Sequence, residues 1–331
     1  MHKISRRALA AFATVRPTLT ALALATPLLA AAQSTTWPTM TVKLLDAFPP
    51  GAPGDLIARL IQPALQKELG QPVIVDNKPG AGGNIGAAEV VRATDGHTVL
   101  VGPDTMLTIN PHIYKKLSFD PMVDLVPVTQ LATFSQELVC NPALGVKNRD
   151  QLLATARKQP LSYASGGPGV PGHMAMELLL SSTHVQMQHV PYRGPAPAAQ
   201  DVLGNNIPCG FLASPVVGPH VKQGRLVAIA VSGTTRLPAQ PTVPTMAEAG
   251  VKGYDATFTE MMAMPKSTPP AVLQRLQRAV AQAMADPDVR AKMAAADLEP
   301  LANTPAEAAA RIRAENARWK PVAARLDLRL D

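Results

Sequence analysis

Two rhythms of apolar and polar positions alternate along the first half of the chain. Residues 41–45 read as a short strand. From 55 to 69 the apolar residues Leu56, Ile57, Leu60, Ile61, Leu65 and Leu69 recur at helical spacing. Gly70 then stands where a helix needs a left-handed cap. Residues 72–76 form a second strand, a glycine-rich loop follows at 79–84, 85–93 read as a short helix and 98–102 as a third strand. Strands and helices alternating across short loops predict a parallel sheet covered by helices. The pattern restarts after residue 135. Strands are expected at 137–140, 161–164, 185–190, 208–212 and 226–232, with helices at 149–158, 173–182 and 195–203.

The end of the chain changes character. Residues 270–285 and 306–320 are long amphipathic helices, and Asp286 is placed to N-cap a shorter one. Helices without strands between them must cover a sheet made elsewhere, so the chain is expected to return to its first half. The organisation that follows is α/β with two lobes: 40–133 plus 258–331, and 134–257. Two crossings, near 133–137 and 257–262, would join them as a hinge over a cleft.

Length and composition fit this division. The 331 residues exceed the roughly 100–200 of one ordinary domain. Proline (33) and glycine (22) are spread between apolar runs, which means many tight turns rather than a linker. The formal charge of +7 is partly a property of the N-terminus. Lys3, Arg6 and Arg7 precede an apolar stretch, 19–32, that ends in Ala30-Ala31-Ala32, the layout of a secretory signal. The stretch is shorter than the ~20 apolar residues a membrane span needs. Ser5-Arg6-Arg7-Ala8-Leu9 also resembles a twin-arginine signal. Cleavage near Ala32 would remove Lys3, Arg6, Arg7 and Arg16 and no acid, which takes the charge from +7 to +3. Neither that balance nor the 4% aromatic content argues for nucleic acid. A soluble, exported protein is expected.

Catalytic signatures are missing. No Gly-x-Ser-x-Gly elbow is present, no histidines stand at metal-ligand spacing, and Cys140 and Cys209 are far apart in sequence. Neither a metal nor a cofactor is expected, nor is an enzyme. Three glycine loops carry more information: Gly51-Ala52-Pro53-Gly54-Asp55, Gly82-Gly83-Asn84 and Ser165-Gly166-Gly167-Pro168-Gly169. Each follows a strand and precedes a helix, where parallel sheets bind ligands. Helix N-termini there present free N–H groups and a positive dipole end, which suits a carboxylate. Asp55 would repel such an anion, so its carboxylate is expected to fold back onto its own helix amides. Arg193, on the Tyr192-Arg193-Gly194 turn, could assist. The two cysteines, in an oxidising compartment, could be bonded or be two buried thiols.

Several of these segments resemble one family. Phe48-Pro49-Pro50-Gly51-Ala52-Pro53-Gly54-Asp55 is similar to the first-loop motif of the Bug-type extracytoplasmic solute receptors, which serve tripartite tricarboxylate transporters. Asp76-Asn77-Lys78-Pro79-Gly80-Ala81-Gly82-Gly83-Asn84-Ile85-Gly86 resembles their most specific signature. Asn110-Pro111, Asn141-Pro142, Tyr163-Ala164-Ser165, His189-Val190-Pro191-Tyr192-Arg193-Gly194 and Val243-Pro244-Thr245 fit in order, over roughly residues 40–320.

The resemblance implies a type II periplasmic-binding-protein fold with two Rossmann-like lobes. It also implies a small organic carboxylate as ligand, held partly through water. Carried over, the ligand-binding positions are Phe48, Gly51, Ala52, Gly54, Asp55, Asn84, Asp104 and Thr105 on the first lobe. On the second they are Ser165, Gly166, Gly167, His173, Arg193 and Gly194. Leu212 stands where the family often has an acid, which speaks against a ligand bearing an ammonium group. Cys140 and Cys209 replace usual aliphatic residues, and their pairing across neighbouring strands is the expectation. The implied role is a monomeric receptor that hands its ligand to membrane transporter subunits. The rival readings are an exported hydrolase using Ser165 with His173 or His189, and a ligand sensor docking to a membrane kinase.

Overall fold

The computed structural model describes residues 37–330. The signal read in residues 1–32 lies outside the described residues. Strands β1 (Val42–Asp46), β2 (Val73–Asn77), β3 (Thr98–Pro103) and β4 (Leu125–Phe134) come from the first part of the chain. The next five are β5 (Gln136–Cys140), β6 (Ser162–Ser165), β7 (Gln188–Pro191), β8 (Cys209–Ala213) and β9 (Val227–Val231). The last two are β10 (Phe258–Pro265) and β11 (Glu299–Pro300). They make two sheets, ordered β11-β4-β10-β3-β1-β2 and β7-β6-β8-β5-β9. In the first, β1 is parallel to β2 and β3, and β10 runs antiparallel to β3 and β4. In the second, β6 is parallel to β7 and β8, and β5 is antiparallel to β8 and β9.

The longer helices are α1 (Pro53–Leu69), α2 (Asn84–Arg92), α3 (Arg149–Lys158), α4 (Pro171–Thr183), α5 (Pro195–Leu203), α6 (Ser214–Lys222), α7 (Pro270–Ala285), α8 (Pro287–Ala295) and α9 (Pro305–Leu326). Helix α1 shows how pattern becomes packing. It buries Ile57, Ala58, Ile61, Leu65 and Leu69 against β2, β3 and α7. Each Ile or Leu so buried contributes roughly 1.5–3 kcal/mol. Gly70 closes the helix in the left-handed conformation, its N–H bonded to the Gln66 carbonyl at 3.0 Å.

The chain does return to the first sheet at its end, with α9 packed on β4. Only Ser135 separates β4 from β5, so one strand leaves the first sheet and enters the second. Beside it β10 re-enters the first sheet, pairing Phe258 with Phe134. Trp319 of α9 stacks on Phe258, and Phe258 meets Phe134 with centroids 6.3 Å apart, so aromatic rings pack at the crossing. In the second sheet Cys140 and Cys209 lie directly opposite each other in β5 and β8 and are joined by a disulfide.

Two elements go beyond the periodicity argument. Strand β4 contains Pro127, which has no N–H for a ladder; it sits beside a register irregularity between Met262 and Ala263, where a sheet tolerates proline. Helix α6 carries Pro215 and Pro219, yet buries Pro215, Val217 and Gly218. Strand β7 starts at Gln188, not 185, because residues 184–187 are used in leaving α4 through a left-handed His184.

Candidate functional site

Where the two sheets meet beside the crossing strands, the chain forms a partly open cavity of about 30 Å³. By this measure one water needs ~10–15 Å³, so there is room for about two. The first sheet contributes Phe48, Ala52, Pro53 and Gly54 from the loop after β1, Pro103 at the end of β3, and Glu260 on β10. Phe134 and Gln136 line it at the crossing. The second sheet contributes Gly166, Val170, Pro171, Gly172, Pro195 and the β8 residues Phe211, Leu212 and Ala213.

Three helices begin at this cavity. α1, α4 and α5 each open with a proline in the first turn, after Ala52, Val170 and Gly194 respectively. Proline fits there because its missing N–H would have had no intrahelical partner. The amides of Gly54 and Asp55 precede the first α1 bond, Leu56 N–H to Ala52 C=O at 3.0 Å. Those of Gly172 and His173 precede the first α4 bond, Met174 N–H to Val170 C=O at 3.1 Å. Each N-terminus carries about half a positive charge. Gly172 is forced by space: a Cβ there would lie 2.0 Å from the Phe211 carbonyl oxygen. A wider depression of about 1210 Å³ lies on the second sheet's side, lined by the last turns of α3, α4 and α9 and carrying Arg157, Lys158 and Arg325 beside Glu177.

The loops of the two lobes touch around the cavity. Gly194 (φ 109°) has no room for a Cβ beside Pro49, which would be 2.3 Å away. The Tyr114 hydroxyl donates to the Pro168 carbonyl at 3.4 Å.

Of the residues carried over from sequence, Phe48, Ala52, Gly54 and Gly166 line the cavity. Asp55 does not, and its partners differ from those expected. It lies inside the first turn of α1, and its carboxylate accepts from the Gly51 amide (2.9 Å), Arg59 (2.9 Å) and Asn77 (3.0 Å) rather than from its own helix amides. Burial pushes its carboxyl up, but these three hydrogen bonds outweigh that and hold it low. Gly51 serves this loop contact. Asn84 is turned aside: its Oδ1 accepts from Asn110 at 2.7 Å. Asp104 and Thr105 are buried directly after β3 and are not part of the cavity lining; burial, then Glu315, lifts the Asp104 carboxyl to about 7. Arg193 is exposed and does not line the cavity, and Gly194 is its buried neighbour.

Ser165, Gly167 and His173 lie one layer back. Ser165 Oγ is 2.7 Å from His189 Nε2 and accepts from the Gly167 amide at 3.2 Å. His189 is stacked between Tyr163 and His173. The Gly169 amide donates to His173 Nδ1 at 3.0 Å, which leaves the ring proton on Nε2, facing Glu177 at 3.8 Å. Burial, with His189 beside it, drives His173 down to about 3, and burial takes His189 to about 4. These groups brace the 165–169 loop. Ser165 is fully buried.

The buried acids of the first wall complete the electrostatics. Asp46 accepts from the Phe48 amide at 2.9 Å through Oδ1, while its Oδ2 has no partner. Glu260 Oε2 also has none, and both oxygens come within 3.1 Å of where a Cβ on Gly54 would stand. Burial raises both carboxyls well above their usual range.

A sequence profile described as the tripartite tricarboxylate transporter family receptor matches residues 57–328. The chain belongs to this family. Among solved structures it is similar to R. palustris Rpa4515 with adipate: 30% identity, TM-score 0.85, 89% of this chain and 100% of that one. It is also similar to the periplasmic binding protein BugD, at 27% identity and TM-score 0.85 over 89% and 100% of the two chains. MatC from Rhodopseudomonas palustris, solved with bound malate, matches at 28% identity and TM-score 0.82 over 86% and 99%. The fold is the two-lobed α/β fold of these binding proteins, and the family is one of solute receptors.

Within this receptor, sequence reasoning missed Gln136, Gly172, Pro195 and Glu260 as cavity residues. Glu260 had a visible signal, a lone charge in the apolar run from Phe258 to Met264. Gln136 had a weaker one, a polar pair with Glu137 opening β5, which strand alternation sends to opposite faces. Leu212 does line the cavity, so the acid there comes from β10 and not from β8.

Proposed function

We propose that the protein is an exported periplasmic receptor that closes over a small organic carboxylate and presents it to the membrane subunits of a tripartite tricarboxylate-type transporter. The observation that carries this reading is the convergence of three helix N-termini on one cavity at the crossing of the lobes. Free amides and dipole ends bind carboxylates without a lysine or arginine. The adipate and malate held by its relatives are ligands of that class. The lobes, 40–133 with 258–331 and 134–257, act as rigid halves, and the signal is removed near Ala32. The cavity is too small for such an acid as it stands, so the halves part to admit it and close around it. Docking of the closed form couples capture to transport. The receptor acts as a monomer and binds its ligand without catalysis; Ser165 and His189, within hydrogen-bond reach of each other, support the 165–169 loop. Among the described residues no helix is long and apolar enough to cross a membrane.

The test is thermal unfolding of the mature protein against a panel of mono-, di- and tricarboxylates. A ligand that binds only the folded state at 100 times its Kd adds about 2.7 kcal/mol. A clear rise with at least one acid is expected; a panel that leaves the transition unmoved contradicts the reading.

A further inference from the structure

Among the described residues, the cavity lining carries two polar side chains, Gln136 on the second wall and Glu260 on the first. Each is left with an unpaired atom. Gln136 is 3% exposed and its Nε2 has no acceptor; Glu260 is 1% exposed and its Oε2 has no partner. Buried polar atoms are almost always paired, because an unpaired one keeps its full desolvation penalty. A bound carboxylate supplies the acceptor that Gln136 lacks. Against Glu260 it sets one carboxyl group before another in a site with little water, where the two cannot both stay ionised. The surrounding elements offer Glu260 no counter-charge. Strand β4 beside it holds no charged residue, and β3 on its other side leads into Asp104. Helix α1 brings Asp55 and Arg59, bonded to each other at 2.9 Å. Helix α2 brings Glu89, paired with Lys43 and Lys78, and Arg92 in its last turn. The charges that act on Glu260 are Asp46 of β1 and Asp104, both acids, and they add to burial in raising its carboxyl.

We propose that Glu260 receives the ligand as a neutral acid, donating its carboxyl hydrogen to a ligand carboxylate oxygen, so that closure of the lobes takes one proton from solution and the receptor holds its anion less tightly as pH rises. This rests on the carboxylate-receptor reading and adds to it a proton requirement, not a choice among acids. When the lobes part, Glu260 loses the cover of Gln136, Phe211 and Leu212 and meets water, where a glutamate ionises at about pH 4.3. The open form therefore carries a carboxylate at pH 7, and the closed, loaded form carries the acid. The complex holds one more proton than its separated parts, so its Kd rises with pH, by at most about tenfold per unit. The proton returns to water when the lobes reopen. His173 and His189 are already neutral in this range and contribute nothing to the exchange.

The test is calorimetric titration of the mature, disulfide-intact protein with adipate, malate or whichever acid of the melting panel stabilises it most. Carboxylic acids of this kind are ionised at pH 7 and above. Runs at one pH in buffers of different ionisation enthalpy count the protons taken up. The expected count is about one-half to one, with a Kd that rises about 3- to 10-fold from pH 7 to 8. Glu260→Gln keeps a donor, its amide N–H, but cannot titrate: binding is expected to remain, with no proton uptake and a Kd that is flat with pH. Glu260→Met loses the donor as well and is expected to bind roughly 10-fold more weakly, again without uptake. Asp104→Asn and Glu137→Gln remove the other raised acids and are expected to leave the count unchanged. Thermal melts establish that each variant folds. A wild-type count of zero, a count that survives in Glu260→Gln or is lost in Asp104→Asn or Glu137→Gln, or a folded Glu260→Gln that no longer binds overturns the proposal while the carboxylate reading stands. If no acid of the panel binds, the carboxylate reading falls and this one with it.

Discussion

On the first sheet's side of the cleft the buried titratable groups are acids: Asp46, Asp104 and Glu260. On the second sheet's side the stacked imidazoles of buried His173 and half-buried His189 stand with one buried acid, Glu137 on β5. Burial lifts the acids above their usual range and presses the histidines below theirs. The walls also differ in what makes them rigid. The second has a disulfide tying β5 to β8 and a backbone contact at Gly172; the first faces the cavity with flexible carboxylate ends around Gly54.

The largest expected effect comes from breaking the cross-link of the second wall. Cys140 and Cys209 are 69 residues apart, and closing a loop of that length stabilises by about 4 kcal/mol in the chain-entropy account. The double Cys→Ala variant should show that loss in urea unfolding, and carboxylate affinity should fall with it because β5 and β8 line the cavity.

The next contrast sets glycine against glycine. Gly172→Ala puts a methyl group into the Phe211 carbonyl, which is backbone and cannot swing away; about 3 kcal/mol is expected. Gly54→Ala meets only the carboxylate ends of Asp46 and Glu260 at 3.1 Å, and about 1 kcal/mol or less is expected. Chemical denaturation of the two variants side by side checks the order. Equal losses would mean that the walls are equally rigid.

Titration separates the acids from the histidines by sign. An acid whose folded value is raised adds stability below its unfolded value, near 4, and that stability is lost as pH rises toward the folded value. A histidine whose folded value is lowered adds stability above about 6.5, lost as pH falls toward 3 or 4. Above pH 6.5 the acids act alone, joined by Glu137, which burial lifts to about 8. Stability is therefore expected to fall as pH rises from 6.5 to 8, by up to about 1.4 kcal/mol per pH unit for each proton still held. Asp104→Asn should soften only the part that ends near pH 7. Melting curves across that range decide it; a rise in stability with pH would contradict the raised carboxyls.

The smallest effect belongs to the seam between lobes. Tyr114→Phe removes one long hydrogen bond to Pro168, and less than about 1 kcal/mol is expected, read as a few-fold weaker ligand binding with little change in melting temperature.

Much of the fold could be read from residue patterns because each lobe repeats strand, loop and helix with clear periods. The exceptions have local causes: Pro127 hides β4 and Pro219 hides α6, since both residues ordinarily argue against the element that contains them. The site was legible at the level of loops but less so at the level of side chains. Phe48, Ala52, Gly54 and Gly166 reach the cavity, whereas Asn84 turns to Asn110 and Arg193 to solvent. Chain order places a loop at a sheet's end but does not say which way its side chains point. Gln136 and Glu260 escaped for the same reason: a polar residue in a strand is informative only once the cavity it faces is known.

The most direct test of the central claim is ¹H–¹⁵N spectroscopy of the labelled protein titrated with a carboxylate that stabilises it. The account predicts that the amide resonances of Gly54 and Gly172, at the starts of α1 and α4, move most and saturate with the ligand. Saturating binding that leaves both resonances in place, with shifts gathered instead around Gln186 and the ends of α3 and α9, would contradict it.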